Sequence, residues 1–343
     1  MSKIPQHIAI IRLSAMGDVA MTVPVIRAFA MQYPAVTITV ISRPFFEPFF
    51  ASIPHVTFFG VDLDKRHKGV LGLLRLFADI KKLQIDAFAD FHDVLRTKVI
   101  RTLFRLSGVT VAVTDKGRAE KKALTRRKNK VFKQLKTMFE RHQDTLEQLG
   151  YDINLQNPIF PEKAILSQKV LKLSGNKTQK WIGIAPFAQY QTKVYPQDLM
   201  QEVITALSAN PENKLFHFGG GTNEIEILEN FATNKTNCIV VAGQVALEEE
   251  LQLISNLDVM LSMDSGNAHI AAMLGVKTIT LWGATHPYAG FAPFNQLLSN
   301  CIVPDIEQYP LLPTSIYGNK QVVGYEEVMR NISTSSILEK VEA

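Results

Sequence analysis

Short apolar runs alternate with amphipathic stretches along almost the whole chain. HIAIIRL (7–13), VTITVIS (36–42), VTFFGV (56–61), DAFADF (86–91) and VTVAV (109–113) read as buried strands in the first half. WIGIAPF (181–187), KLFHFGG (214–220), CIVVAG (238–243), DVMLSM (258–263) and KTITLWG (277–283) repeat the pattern in the second. Helical periodicity fills the gaps: one helix from the loop after the first strand to about Gln32, then 69–83, 94–106 and 131–149, with Gly150 placed as a C-cap. The second half predicts helices over 197–209, 222–233, 246–256 and 265–274, and a last one over 325–341. Residues 151–179, with Pro158 and Pro161, read as a connection, and 286–320 as irregular. Strands alternating with helices imply α/β architecture with parallel sheets, and two such series imply two Rossmann-like domains facing each other across a cleft. Ligands of such sheets bind beyond the carboxyl ends of the strands, so the residues just after each strand are the candidates for chemistry.

Asp18 follows the first strand in the loop Ser14-Ala15-Met16-Gly17-Asp18, where it serves either as a helix cap or as a general base. The stretch LSMDSGNAH ends a strand at Asp264 and opens a helix with Ser265-Gly266, a setting whose free N–H groups favour an anion. Asp264 and Ser265 also suit plain N-capping, and His269 a core helix position. Glu224 follows Gly219-Gly220-Gly221, placed either as a first-turn acid or to accept from ribose hydroxyls. Lys193 lies in the loop after strand 181–187, where a cation can neutralise a diphosphate. Asp90, His92, Asp93 and Arg96 form a polar patch after another strand, with capping as the competing reading. Asp62-Leu63-Asp64 spells a metal–diphosphate pattern but reads better as a solvated loop, and the eight histidines show no metal-binding spacing.

Composition narrows the class. The chain has 343 residues, 46% of them apolar and 20% charged, which suits packed cores and excludes intrinsic disorder. Cys238 and Cys301 are too few for a disulfide scaffold or a four-thiolate zinc site. No apolar run reaches the roughly 18–20 residues of a membrane span, and Arg12 and Asp18 interrupt the N-terminus too early for a secretory signal. The expectation is a soluble protein of a reducing compartment. The net charge of +5 is unevenly spread: residues 116–136 hold ten Lys/Arg against Glu120 alone, while the remainder sums to −4. Such a segment fits a polyanionic partner or a solvated face; with Phe132 its only aromatic residue, it is a poor stacking platform for nucleic acid.

Taken together, IIRLSAMGDVAMTVPVIRAF, ADFHDVLRTKVI, RHQDTLEQLG and MDSGNAHIAAMLGVKTITLWGATHP resemble glycosyltransferase family nine, the bacterial heptosyltransferases of the lipopolysaccharide inner core. The resemblance covers nearly the whole length. It implies a GT-B fold: an acceptor-binding domain over 1–160, a nucleotide-sugar-binding domain over 161–322, and a C-terminal helix in 323–343 crossing back to the first. It implies Asp18 as catalytic base, and Lys193, Glu224, Asp264, Ser265, Gly266 and His269 as donor-binding residues. Arg96, Lys121, Lys122, Arg126 and Arg127 would meet the phosphorylated acceptor. Ala188 and Gln189 stand where some relatives carry hydroxyl residues near the phosphates. The activity implied is metal-independent, inverting transfer of a sugar, most simply heptose from ADP-heptose, onto a lipid-linked phosphorylated saccharide. No cofactor and no nucleic acid are expected, and the location is cytoplasmic with peripheral contact to an anionic membrane surface. A nucleotide-sugar epimerase and a non-catalytic sugar-nucleotide sensor are the alternatives. Donor sugar, acceptor position and oligomeric state are not encoded in these motifs.

Overall fold

The computed structural model describes residues 4–343. In chain order it contains β1 (His7–Ile11), α1 (Met16–Ala20), α2 (Thr22–Gln32), β2 (Thr37–Ser42), β3 (Val56–Gly60), α3 (Gly69–Lys81), β4 (Ala87–Asp90), α4 (Leu95–Leu106), β5 (Thr110–Val113), α5 (Arg118–Thr125) and α6 (Met138–Glu147). There follow α7 (Gln168–Ser174), β6 (Lys180–Ala185), α8 (Gln197–Ala209), β7 (Asn213–His217), α9 (Thr222–Ala232), β8 (Cys238–Val240), α10 (Leu247–Ser255), β9 (Val259–Met263), α11 (Gly266–Met273), β10 (Lys277–Leu281), β11 (Cys301–Ile302) and α12 (Thr334–Glu342). The chain divides into two compact units. One holds the chain up to Gly117 together with Lys136–Phe160; the other holds Arg118–Leu135 together with Pro161–Ala343.

The first unit is a five-stranded parallel sheet in the order β3-β2-β1-β4-β5, with Ile8 of β1 opposite Ile38 on one side and Ala87 on the other. Its strands are nearly pure apolar runs because helices cover both faces. On one face Leu73, Leu76 and Ile80 of α3 and Ile100 and Phe104 of α4 pack onto Ala9, Ile11, Ile41 and Phe88. The second unit is a six-stranded parallel sheet, β11-β10-β9-β6-β7-β8. Both sheets reverse their winding beside their first strand, between β1 and β4 and between β6 and β9. These reversals are where the crevice beyond the strand ends opens for a ligand.

Several elements depart from the periodicity. The helix after β1 is two pieces: Pro24 in the first turn of α2 has no N–H to bond backward, and Thr22 Oγ1 donates to the Val19 carbonyl at 2.7 Å. The helix expected over 131–149 starts only at Met138, where the Thr137 hydroxyl accepts from the Glu140 amide and Glu140 accepts from the Thr137 amide. The basic segment instead contains the short α5. The last helix begins at Thr334, capped by Ser333, after a 3₁₀ turn at Val328–Asn331.

Two segments fall in the second unit. Residues 118–135 do so through Leu124 and Leu135, which pack with Ala289, Tyr288, Phe291 and Ile316. Lys130 Nζ adds hydrogen bonds to the carbonyls of Leu311, Leu312 and Pro313 at 2.6, 2.7 and 3.1 Å. Residues 323–343, which the resemblance carries back to the first domain, are likewise grouped with the second unit. Ile337 and Val341 of α12 join its core, and α12 packs against α8. Among the described residues no helix is long and apolar enough to cross a membrane.

Candidate active site

In the first unit the site grows from the end of β1. Arg12, the residue that stops the apolar run, is 6% exposed. Its Nε donates to the Ser14 carbonyl and its Nη1 to the Phe91 carbonyl, both at 2.8 Å. Its Nη2 forms an ion pair with Asp18 Oδ2. Asp18 also accepts from the Ala15 amide at 3.3 Å, three residues back along its own helix start. Asp18 thus does serve the helix start, and its carboxylate, held by backbone and arginine, keeps 32% of its side-chain surface open.

His92, beyond β4, belongs to the same neighbourhood. Its Nδ1 accepts from the Leu13 amide at 3.4 Å, which leaves the ring proton on Nε2. Burial, reinforced by the Arg12 and Lys116 charges, pushes its pKa down to about 3, so the ring is neutral at every working pH. Asp90 is fully buried and spent on structure, accepting from the amides of His92 and Asp93 and from Arg101 Nη1. Asp93 shares Arg101 at 2.9 Å. The structural reading thus accounts for Asp90, which holds the turn amides, whereas Asp93 pairs with Arg101 and Lys98; Arg96 is exposed on the first turn of α4. Asp62 organises its own turn by accepting from the amides of Asp64 and Lys65, and Asp64 lies in solvent beside Arg43. Among the described residues no group of three or more His, Cys, Asp or Glu is arranged to hold a metal ion.

In the second unit the candidate side chains follow neighbouring strands. Lys193 follows β6, Asp264 follows β9, and Lys193 Nζ lies 3.0 Å from Asp264 Oδ2. The same oxygen accepts from Thr285 Oγ1 at 2.8 Å; Thr285 follows β10 and is 1% exposed. The lysine loop is braced by close backbone approach. Thr192 donates its hydroxyl to the Gly318 carbonyl, and the Thr192 carbonyl accepts from the Ala284 amide at 3.0 Å. A Cβ on Gly283 would lie 2.3 Å from that carbonyl, and one on Gly318, at φ +83°, 2.5 Å from the Lys193 stem.

Ser265 occupies the N-cap of α11, but its side chain caps nothing. Its hydroxyl meets Ser262 Oγ at 3.0 Å, so the first-turn amides from Gly266 onward face the strand-end crevice without a side-chain cap. His269 is buried one turn further along α11. Glu224 folds back over the glycine loop, its Oε2 accepting from the Gly220 amide at 2.8 Å. In the basic segment Lys121 is buried with its ammonium 4.2 Å from the Phe291 ring centre, whereas Lys122, Arg126 and Arg127 are exposed.

The geometry thus brings Lys193 and Asp264 into contact at one sheet's reversal, and Asp18 with Arg12 at the other's. Arg12 and Thr285 escaped the sequence reading. Arg12 is one residue beyond an apolar run, and Thr285 lies within the very motif GATHP, but a hydroxyl's partner is a tertiary fact.

Comparison with known proteins agrees with this architecture. The model of glycosyltransferase family 9 (heptosyltransferase) matches residues 73–315. The lipopolysaccharide core heptosyltransferase OpsX of Haemophilus influenzae is 27% identical over 304 residues, 85% of this chain and 83% of that protein. A family 9 glycosyl transferase from Veillonella parvula superposes with a TM-score of 0.75 at 18% identity, covering 98% of this chain and 96% of that one. E. coli heptosyltransferase WaaC, solved with ADP and with ADP-2-deoxy-2-fluoro heptose, gives a TM-score of 0.67 at 18% identity over 98% and 99% of the two chains. The fold is the two-domain GT-B type, two parallel-sheet Rossmann-like units. The chain belongs to glycosyltransferase family 9.

Proposed function

We propose that the protein transfers heptose from ADP-heptose, with inversion, onto the lipopolysaccharide inner core or a related lipid-linked phosphorylated saccharide. The observation that carries this reading is the Lys193–Asp264–Thr285 cluster beside the uncapped start of α11. Together they supply fixed positive potential and a carboxylate at the crevice of the second sheet. The names of the relatives support heptose and lipopolysaccharide as the chemistry.

In this scheme residues 1–160 bind the acceptor and 161–322 the donor. The acceptor hydroxyl gives its proton to Asp18 as its oxygen attacks the anomeric carbon, and the bond from that carbon to the phosphate oxygen breaks with its electron pair. The leaving ADP gathers negative charge, which Lys193 and the amides at Ser265-Gly266 stabilise more in the transition state than before it. Glu224 accepts from ribose hydroxyls and His269 lines the donor pocket. These groups supply the potential that a metal otherwise would. Arg96, Lys122, Arg126 and Arg127 meet acceptor phosphates, and Lys121 supports that segment from beneath. The enzyme works at the cytoplasmic face of the membrane that presents its acceptor. A screen of nucleotide sugars with deacylated core acceptors, read by mass spectrometry, tests the assignment. Acceptor-dependent heptosyl product is expected. Donor binding without product would point to a sensor, and interconversion of free nucleotide sugar without acceptor to an epimerase.

A further inference from the structure

Large apolar side chains left in solvent are concentrated on one face of the first unit. Val70, Leu71 and Leu74 of α3 and Leu95, Val99 and Leu106 of α4 are all exposed, with Val70, Leu71 and Leu95 at 74%, 70% and 79%. They are not spare core residues. The inner faces of the same helices already carry Leu73, Leu76, Ile80, Ile100 and Phe104 into the sheet. Each helix is therefore apolar on two sides, whereas a surface helix normally has one apolar stripe. The two helices pack together, and both return from the carboxyl edge of a parallel sheet, so they run side by side in the same direction. Leu71 and Leu74 on one and Leu95 and Val99 on the other thus lie toward the same edge, the one from which Asp18 and His92 emerge.

The exposed charges on α3 and α4 themselves are cations. α4 carries Arg96, Lys98, Arg101 and Arg105 and no carboxylate. Arg101 turns inward to Asp90 and Asp93, but Arg96, Lys98 and Arg105 are exposed, as are Arg75 on α3 and Lys65 and Lys68 just before it. The one acid of α3, Asp79, is already engaged by Arg66 and Lys82. Lys98 reaches to 4.0 Å from Asp93, and the other exposed cations stand beside the leucines. Exposed leucines set among exposed cations are the pattern of a surface that lies in a lipid headgroup layer, where apolar side chains enter the acyl boundary and cations meet anionic heads.

We propose that the outer face of α3 and α4 docks the protein on an anionic lipid bilayer, with the carboxyl edge of the first sheet held near the membrane. The proposal builds on the lipid-linked acceptor proposed above. It assigns membrane contact to Arg75, Arg105 and the exposed leucines of this face, leaving Arg96 and the exposed cations of 118–135 to the acceptor.

The test is co-sedimentation of the full chain with vesicles of phosphatidylcholine alone or mixed with phosphatidylglycerol. Binding to the mixed vesicles should be tighter by about tenfold or more and should weaken with salt. Leu71→Ser with Leu95→Ser, and separately Arg75→Glu with Arg105→Glu, should each lower that binding about tenfold or more. Both variants should keep wild-type transfer to a soluble deacylated acceptor. Equal binding to the two vesicle types, or variants that bind like wild type, would overturn the proposal. So would a concentration-dependent dimer that the leucine variant abolishes while vesicle binding persists. Vesicle binding with no transfer to soluble acceptor would support the docking face and overturn the transferase reading instead.

Discussion

Asp264 Oδ2 holds two partners at once, the Lys193 ammonium and the Thr285 hydroxyl, in a setting where lysine and carboxylate side chains are only 12% and 9% exposed. Removing one member of a desolvated pair leaves the other charge uncompensated, a larger loss than the net worth of the contact. Lys193→Ala should therefore weaken donor binding and lower kcat together, measurable by donor titration and initial rates. Thr285→Val keeps the shape and deletes only the hydrogen bond, which contributes about 1.5–3 kcal/mol when the acceptor is charged. It should lower kcat/KM for donor by roughly ten- to a hundredfold, with Thr285→Ser restoring most of it. Asp18→Asn should leave donor affinity near wild type and reduce turnover by roughly 10²–10⁴-fold, the usual contribution of a general base. Retention of half the rate would remove Asp18 from that role. Asp18, Lys193 and Asp264 could be singled out because the loops beyond parallel strand ends are where such sheets bind ligands, although capping competes as a reading of Asp18 and Asp264. Arg12 and Thr285 were not, because each draws its meaning from a partner that the fold supplies.

At the scale of elements, ten of the eleven strands among the described residues were predicted in place, though several ran two or three residues too long at the carboxyl end, and the two-residue edge strand β11 fell in a stretch read as irregular. The central strands, buried on both faces, leave an unbroken apolar signature. Helix starts were less visible. A capping box at Thr137 and Glu140 and a proline at position 24 override periodicity that continues through them. The basic segment shows the same limit: its charge is plain in the sequence, but the use of Lys121 and Lys130 as packing and hydrogen-bonding groups is not. The lysine loop depends on a residue with no side chain at all. Gly283→Ala would place a methyl group on the Thr192 carbonyl, so the loop must shift. The expected cost is about 1–3 kcal/mol of stability, seen as a lower Tm, with a further loss of donor affinity because Lys193 moves with the loop. Unchanged donor binding in a folded Gly283→Ala protein would show that the bracing is irrelevant to the site.

Across the whole molecule, buried histidines shape the response to acid. His217 is fully buried with its pKa pushed down to about 4, and burial likewise pushes His286 down to about 4. Between pH 6.5 and 4 the unfolded chain binds protons that the native one refuses, so stability falls as pH is lowered through that window. His217 alone contributes on the order of 3 kcal/mol to that fall. Glu250 acts oppositely. Burial raises it to about 7, so the native state keeps a proton between pH 4.5 and 7 that the unfolded state has lost, and stability declines as pH rises there. Urea midpoints measured from pH 4 to 8 should show a shallower acid limb for His217→Gln than for wild type, and a shallower decline toward neutrality for Glu250→Gln. Identical limbs would place these titrations elsewhere.

The return of residues 118–135 to the second unit has a consequence for heredity as well as for folding. Backbone passes between the units three times, after Gly117, after Leu135 and after Phe160. A recombination event at the 160/161 junction would give the second unit a patch tailored to a different parent, because the surface formed by Ala289, Tyr288, Phe291 and Ile316 is completed by Leu124 and Leu135 from far upstream. Neither half is a cassette: a second unit carried to another parent would need its own 118–135 segment with it, because Leu124 and Leu135 complete its surface.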